Sequence, residues 1–189
     1  PYRRQRQMCI RDSKVIDPLF LDDLKKEFKE IQAVTVRRTK EKRLDEFQNK
    51  LASLTFLDPA CGSGNFLTET YLSLRRLENE VIRERVGGQI TLGEVHNPIK
   101  VSIQQFYGIE INDFAVTVAK TALWIAESQM LEETKNIVYG FNDDFLPLKT
   151  YVNITEGNAL RIDWNEVVPV ERLSYICLLY TSDAADDKA

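Results

Sequence analysis

Apolar and polar positions along the chain follow two periods, and four short apolar runs have the length and composition of strands. They are 54–58 (LTFLD), 104–111 (QQFYGIEI), 151–160 (YVNITEGNAL, a strand with its turn) and 172–176 (RLSYI). Segment 89–103, between the first two strands, is β-prone but rich in turn residues, and we expect an irregular excursion or a small hairpin there. A lone loop histidine, His96, lies in that segment and is a poor candidate for a catalytic group.

Four other segments carry apolar residues at helical spacing. We predict helices over 18–31 and 43–54, joined by a charged connection, and two longer helices over 65–86 and 112–131. A glycine pair ends the third helix, and we assign its Arg75 and Arg76 to a solvated face. Asn112 or Asp113 can cap the fourth helix. The apolar stripe of that helix is predicted to consist of Phe114, Val118, Ala122, Ile125 and Ala126.

The order of these elements defines a fold class. Strands that alternate with helices form a parallel sheet with right-handed crossovers. We therefore predict an α/β fold, a doubly wound Rossmann-like domain over 54–176 preceded by an N-terminal helical segment, 14–53. In such domains a ligand lies beyond the carboxyl ends of the strands.

Composition narrows the possible classes of protein. The 189 residues are 43% hydrophobic and 29% charged, which is typical of a soluble globular domain with a substantial core. The net charge of -4 argues against a general nucleic-acid-coating surface, but it allows a DNA enzyme whose target-reading surface lies elsewhere. No apolar run approaches the roughly 20 residues of a membrane helix, and no amino-terminal signal peptide is visible. Three cysteines and one histidine offer neither metal-ligand spacing nor a disulfide framework.

The two ends of the chain have the character of processing scars. Residues 3–13 (RRQRQMCIRDS) and 177–186 (CLLYTSDAAD) can be encoded by DNA strings that are reverse complements over nearly their whole length. These strings resemble the adapter used in transposase-based sequencing libraries, read in opposite directions. We therefore expect 1–13 and 177–189 to lie outside the native domain. On this interpretation the chain is a fragment, and Cys61 is its native cysteine.

The stretch LTFLDPACGSGNFL (54–67) places a glycine-rich turn between the first strand and a helix. Gly62 and Gly64 allow positive φ and a close approach of backbone amides to a ligand, and the following helix directs the positive end of its dipole to the same space. Leu67 stands where the dinucleotide fingerprint G-x-G-x-x-G has its third glycine, which weakens a pyrophosphate interpretation. Asp58 is unhelpful to a diphosphate but suits a cationic ligand with an amino group. A plain structural turn is the alternative.

Two further turns supply polar side chains at the same predicted edge of the sheet. Glu110 ends the second strand, where a carboxylate can accept hydrogen bonds from ribose hydroxyls; a surface acid that caps a helix is the alternative. Asn158 follows the third strand, where its amide can bind an adenine edge, although a turn-forming Asn beside Gly is equally compatible with the local chemistry. Together the three turns indicate an adenosine that carries a positively charged amino-acid tail, which is S-adenosylmethionine.

Three motifs carry a resemblance to a known family. FLDPACGSGNFL (56–67), YGIEINDFAVTVAKTALWIAE (107–127) and EGNALRIDW (156–164) resemble the amino-methylating DNA methyltransferases. Within these, the chain is similar to the MmeI-like, type IIG restriction–modification group, and more loosely to phage-defence adenine methyltransferases. The likeness covers 14–176, and the first motif is highly specific for the class.

The resemblance implies S-adenosylmethionine as cofactor and a role for each matching residue. The residues that would form the cofactor loop are Asp58, Pro59, Ala60, Cys61, Gly62, Gly64, Asn65 and Phe66. Glu110 would bind the ribose with Ile111 against the adenine ring, and Asn158 with Ala159 would flank the adenine. Cys61 would be a small loop residue, since no partner base is near it in the sequence to make it a nucleophile. A cytoplasmic prokaryotic enzyme that acts on double-stranded DNA, through regions outside this chain, is also implied.

The reaction implied by the resemblance moves a methyl group from the sulfonium to the exocyclic amine of an adenine flipped out of the duplex. In this family an Asn/Asp-Pro-Pro-aromatic tetrapeptide after the fourth strand binds that amine and stacks on the base. Its place is immediately after Ile176, where the adapter-like text begins, and a second cofactor-contacting turn of the Tyr-Thr-Ser kind would precede Lys14. The resemblance therefore predicts a fragment that retains the cofactor site and is inactive as a methyltransferase.

Other functions use similar residues. Transfer to the amino group of cytosine, or to a protein or RNA amine, requires the same cofactor site. A nicotinamide-dependent oxidoreductase is disfavoured by Asp58 and Leu67. A non-catalytic domain that only binds cofactor or holds partner subunits is a further alternative.

Overall fold

The computed structural model describes residues 16–87, 98–138 and 153–177, and in these ranges the strands form one parallel four-stranded sheet. The strands are β1 (Phe56–Asp58), β2 (Phe106–Glu110), β3 (Ile154–Glu156) and β4 (Tyr175–Ile176). Their order in the sheet is β3-β2-β1-β4, and every pair is parallel. The predicted α/β fold with a parallel sheet is confirmed. The first two strands occupy the centre of the sheet, and the third and fourth flank them.

Helices precede the sheet and connect its strands. They are α1 (Asp22–Gln32), α2 (Arg37–Ser53), α3 (Asn65–Val86), α4 (Asp113–Lys135) and the short α5 (Trp164–Val167). A π-helical turn, Asp17–Leu21, leads into α1, and short 3-10 turns, Ile103–Gln105 and Val170–Arg172, precede β2 and β4. The third helix has the predicted bounds, because Gly64 in left-handed conformation precedes it and Gly87 follows it.

The charged connection predicted between the first two helices is wrong over most of its length. Helix α2 already begins at Arg37 and includes the charged residues that follow. Arg37 pairs with Glu41 one turn later at 2.9 Å, and such pairs support a helix. Lys40 pairs with Glu84 of α3, which attaches the first turns of α2 to the neighbouring helix.

Aromatic rings form the core on one face of the sheet. Phe56 of β1 stacks on Phe106 of β2 and on Tyr175 of β4, with ring centroids 5.1 and 5.4 Å apart. Phe20 of the π-helical turn and Tyr71 of α3 meet these rings from outside the sheet. Full burial of such a side chain contributes about 2 kcal/mol, so this cluster attaches the N-terminal helices to the sheet.

The opposite face of the sheet is covered by the segment between β3 and β4. Successive side chains of a strand point to opposite faces, so Leu57 and Ile109 project away from the aromatic cluster, and both are fully buried. They contact a second cluster that includes Val168, Trp164 and Leu173. The two central strands are therefore covered on both faces, as parallel strands usually are.

The apolar stripe predicted for α4 is wrong in phase. Of its members only Ala126 is buried, whereas Phe114 and Ile125 are 74% and 54% exposed. The buried face consists of Val116, Ala119, Leu123, Ala126, Met130, Leu131 and Thr134. Because apolar residues occur around most of this helix, the helical period alone does not identify the side that faces the core.

The prediction of a solvated face holds for Arg76 but is wrong for Arg75. The Arg75 side chain is 1% exposed, and its guanidinium forms an ion pair through Nη1 with Glu78 on the same helix. Its Nη2 donates a hydrogen bond to Thr134 Oγ1 of α4 at 2.8 Å. A buried charge requires such partners, and here they join α3 to α4.

The Glu78 carboxylate also joins α3 to two other parts of the chain. Its Oε1 accepts hydrogen bonds from Gln48 Nε2 of α2 at 2.8 Å and from the Lys100 backbone N–H at 2.7 Å. The Val101 N–H lies 3.2 Å from the same oxygen. The Gln48 amide further donates to the Pro98 carbonyl at 2.6 Å. The segment that enters β2 is thus fixed by backbone hydrogen bonds to a buried acid.

Several predictions fall outside the described residues. These include residues 89–97 of the excursion, among them His96, together with the start of the third strand at 151–152 and nearly all of the two adapter-like ends. Among the helices of the described ranges, none combines the length and hydropathy of a membrane span. In the same ranges, no group of three or more His, Cys, Asp or Glu residues is arranged to hold a metal ion.

Candidate cofactor site

The carboxyl ends of the strands bring the three polar turns of the sequence together at one edge of the sheet. Asp58, the last residue of β1, pairs in register with Gly108 of β2. Glu110, the last residue of β2, pairs with Glu156 of β3. Because parallel strands end at the same edge, the turns that follow them are neighbours there.

The turn after β1 is held by its own side chain and backbone. Asp58 is 4% exposed, and its Oδ1 accepts a hydrogen bond from the Ala60 N–H at 3.0 Å. Gly62 and Gly64 have φ of +52° and +76°, a conformation that favours glycine. The Gly64 N–H donates to the Cys61 carbonyl at 2.8 Å. The shape of the turn is therefore defined by its own side-chain and main-chain hydrogen bonds.

Glu110 connects this turn to the second strand. Its Oε2 accepts a hydrogen bond from the Gly62 N–H at 2.8 Å, and its Oε1 accepts one from the Asn112 N–H at 2.9 Å. The Glu110 main-chain carbonyl accepts the Gly157 N–H at 2.8 Å. One residue thus contacts the turns that follow all three strands. Each carboxylate oxygen also has a second lone pair available to a ligand.

Cys61 lies beneath the turn and is not a nucleophile in this arrangement. Its N–H donates to the Ile109 carbonyl at 3.1 Å, and its side chain is buried. A Cβ at Gly108 would lie 2.8 Å from the Cys61 Sγ, so the thiol occupies the space left by that glycine. Burial, with the nearby Asp58 and Glu110 carboxylates, raises the pKa of the Cys61 thiol to about 12. The thiol therefore stays protonated at neutral pH. The negative charges of both acids disfavour the thiolate.

The N-terminal end of α3 also faces this edge. Asn65, its first residue, is exposed, while Phe66 is buried in the core. The helix has no side-chain cap and no acidic residue in its first turn. Its first N–H groups lack intrahelical partners by geometry, and the positive end of the helix dipole is directed toward the turn. In the turn itself Pro59 is buried and Ala60 is exposed.

The turn after β3 is built by Asn158. Its Oδ1 accepts the Leu160 N–H at 2.9 Å, and its main-chain carbonyl accepts the Arg161 N–H at 2.8 Å. The structure therefore contains the turn-forming Asn that was one of the two sequence interpretations. The Asn158 Nδ2 has no hydrogen-bond partner among the described residues and is available as a donor. The Ala159 carbonyl accepts a hydrogen bond from the Trp164 indole at 2.8 Å.

Apolar side chains flank these polar groups. Ile111 follows Glu110 and is 69% exposed, and Leu160 follows Ala159 and is 93% exposed. They add apolar surface to the edge of the sheet at which Glu110 and Asn158 lie.

The sequence analysis missed Ala119 of α4, which contacts this site. A Cβ placed on Gly64 would lie 2.9 Å from the Ala119 Cβ. A small residue on the apolar helix that follows β2 could have indicated this contact in the sequence. The apolar stripe predicted for α4 had the wrong phase, however, and it left Ala119 off the buried face.

Comparisons with known proteins agree with this architecture. A family model for the MmeI DNA-methyltransferase domain matches residues 34–178. The chain is 45% identical over 158 residues to DNA methyltransferase A of Bacillus subtilis. This alignment covers 84% of the present chain and 17% of that protein. The chain is 34% identical over 74 residues to the adenine-specific methyltransferase PglX of Streptomyces coelicolor, and this alignment covers 39% of the present chain and 5% of that protein.

A solved structure shows the same fold. The type IIL restriction-modification enzyme MmeI, in complex with DNA, matches with a TM-score of 0.78 and 40% sequence identity. The match covers 88% of this chain and 21% of that chain, so the present chain spans a small part of the enzyme. The resemblance predicted from the three motifs is confirmed, and the chain belongs to the family of MmeI DNA-methyltransferase domains.

Proposed function

We propose that this chain is the S-adenosylmethionine-binding part of a DNA methyltransferase that methylates the exocyclic amine of adenine, in a restriction–modification or phage-defence system. The observation that supports the proposal is the hydrogen bond from the Gly62 N–H to the Glu110 carboxylate. It holds a glycine turn and an acid together at the carboxyl edge of a parallel sheet, where nucleosides bind in doubly wound folds.

The residues present at the edge fit each part of this cofactor. A Cβ on Gly62 would meet no atom within 4 Å, so a ligand can approach the backbone there. The second lone pairs of Glu110 suit two ribose hydroxyls, and the exposed side chain of Ile111 suits an adenine ring. The free Nδ2 of Asn158 is a donor for a ring nitrogen of adenine, and Ala159 lies beside it.

The amino-acid tail of the cofactor fits the acidic end of β1. Asp58 uses Oδ1 to hold the turn and is 4% exposed, and a nearly buried carboxylate attracts an amino group more strongly than an exposed one does. The other loop residues, Pro59, Ala60, Cys61, Gly64, Asn65 and Phe66, shape the turn and the helix end in this proposal. When bound, the cofactor supplies an electrophilic methyl group on its sulfonium.

The adenine target is supported by a relative. PglX is named as adenine-specific, and it is 34% identical to this chain over 74 residues. A DNA substrate is supported by the MmeI structure, which is a complex with DNA.

We also propose that this chain binds the cofactor without methylating DNA. Strand β4 ends at Ile176 beside Leu57 of β1, at the same edge as the cofactor turn. The sequence from Cys177 onward, CLLYTSDAADDKA, contains no Asn/Asp-Pro-Pro-aromatic tetrapeptide. Without acceptors for the amine and a ring to stack on the flipped base, the chain has no means of activating its target. Transfer of a radiolabelled methyl group by the purified chain to duplex DNA would contradict this statement.

Calorimetric titration with S-adenosylhomocysteine tests the cofactor assignment. Glu110→Gln should weaken binding about tenfold or more, because charge-assisted hydrogen bonds are replaced by weaker ones. Glu156→Gln, the exposed register partner at the end of β3, is the matched control and should bind like the wild-type chain. Equal affinity in the Glu110→Gln variant, or tighter binding of NAD than of the analogue by the wild-type chain, would exclude the proposed site.

A further inference from the structure

We propose that Ala119 of α4 is a positioning residue that determines where the cofactor turn lies. The choice of ligand in this inference rests on the proposed function, whereas the contact between Ala119 and the turn is independent of it. Ala119 acts on the site through its contact with Gly64.

Gly64 connects the turn after β1 to helix α3. Its N–H donates to the Cys61 carbonyl at 2.8 Å, and its carbonyl accepts the Thr68 N–H at 2.9 Å, which is the first bond of the helix ladder. Gly64 is buried and has φ of +76°. A displacement of this residue therefore moves both the turn and the N-terminal end of the helix.

Gly64 rests directly on α4. A Cβ on Gly64 would lie 2.9 Å from Ala119 Cβ, 3.1 Å from Ala119 Cα and 3.5 Å from the Ala119 carbonyl oxygen. The three nearest atoms thus belong to one residue, and Ala119 is itself fully buried. A carbon atom added to Gly64 would therefore overlap Ala119.

Helix α4 is held by hydrogen bonds near both of its ends. Its N-cap, Asn112, accepts the Ala115 N–H at 3.2 Å, and near its other end Thr134 receives a hydrogen bond from the buried Arg75. A larger side chain at 119 would overlap Gly64, and we expect it to displace the junction of the turn and α3. Valine also has one strongly preferred rotamer in a helix, so it has little freedom to direct its methyl groups away.

Substitution at Ala119 has a matched control in the same helix. Ala126 lies two turns further on the same buried face and is 1% exposed. It is about 10 Å from Ala119 along the helix axis. Ala119→Val and Ala126→Val add the same atoms to similarly buried positions, so overpacking of the core is expected in both variants and only Ala119→Val also affects the turn.

The first measurement is the affinity of the full chain for S-adenosylhomocysteine. Ala119→Val should bind about tenfold or more weakly, because a binding group displaced by a fraction of an ångström loses its alignment. Ala126→Val should bind within about twofold of the wild-type chain, as expected for a distant site. Equal losses in the two variants would overturn the proposal.

The second measurement needs no ligand and separates this inference from the proposed function. Amide hydrogen exchange at Gly64 and Thr68 should be faster in Ala119→Val than in Ala126→Val. If the wild-type chain binds no analogue, the proposed function fails, and the exchange comparison still decides the role of Ala119. If Ala119→Val does not unfold cooperatively, Ala119→Ser and Ala126→Ser replace the pair. Equal exchange in the paired variants would show that Ala119 is only a core residue.

Discussion

Replacing Arg75 by methionine should lower the free energy of unfolding by about 3 kcal/mol. Removing one partner of a buried ion pair costs about 3–5 kcal/mol, because the other charge is left without compensation. Here Glu78, left without Arg75, would keep its hydrogen bonds from the Gln48 amide and the Lys100 N–H. The loss should therefore lie at the lower end of the range of about 3–5 kcal/mol. Methionine retains much of the volume of arginine, so the cavity left behind is small.

Urea unfolding followed by far-ultraviolet circular dichroism measures this loss. The control is Arg76→Met, since the neighbouring side chain is 54% exposed and lies 3.8 Å from Glu69. Exposed pairs of this kind contribute at most about 1 kcal/mol. For a chain of this size, about 3 kcal/mol corresponds to a decrease of about 6–12 °C in Tm. If the two variants lose the same free energy, the buried network does not stabilise the fold as argued.

The two glycines of the turn after β1, Gly62 and Gly64, should respond differently to alanine. In Gly62→Ala the added Cβ meets no atom within 4 Å, so the free energy of unfolding should fall by about 1 kcal/mol because of the left-handed backbone alone. In Gly64→Ala the added Cβ also overlaps Ala119, so the loss should be about 2–4 kcal/mol. Urea unfolding measures both losses. The Cys61 thiol, whose pKa is raised to about 12, should react with iodoacetamide at pH 8 at least about a hundredfold more slowly than a free cysteine peptide, as measured by peptide mass mapping; a similar rate would contradict its burial. Because that pKa lies above the ordinary value of 9.0, the stability contributed by the neutral thiol is present below pH 9 and is lost as the pH rises toward 12. The wild-type chain should therefore lose more stability than Cys61→Ala between pH 9 and pH 11 in parallel unfolding titrations, and parallel curves would refute the assignment.

The parts of the structure that could be predicted are those specified by neighbouring residues. The bounds of α3 follow from Gly64 before it and Gly87 after it, since each glycine lies next to the helix end that it defines. The parallel sheet follows from the alternation of strands and helices. The acid of β1 and the glycine turn stand within a few residues of each other, so their proximity required no knowledge of the fold.

The parts that could not be predicted depend on distant residues. Arg75 is buried because Thr134, 59 positions away, accepts its hydrogen bond and Glu78 neutralises its charge. The local pattern places Arg75 one helical turn after the buried Tyr71, but it does not reveal the partners that a buried charge requires. Likewise, α4 carries apolar residues on more than one side, so its period indicates a helix but not which side faces α3. The contact of Ala119 with the turn was missed for that reason.

The hydrogen bonds from Lys100 and Val101 to Glu78 have a consequence for how sequences of this family can change in length. A strand that slips by one residue turns every side chain to the opposite face, so a slipped β2 would carry Glu110 away from the glycine turn. Glu78 prevents this by holding main-chain groups a few positions ahead of the strand. Insertions and deletions upstream of this anchor are then tolerated, because they leave the spacing from anchor to acid intact. Relatives should accordingly differ most in length before the anchor and least between the anchor and the acid.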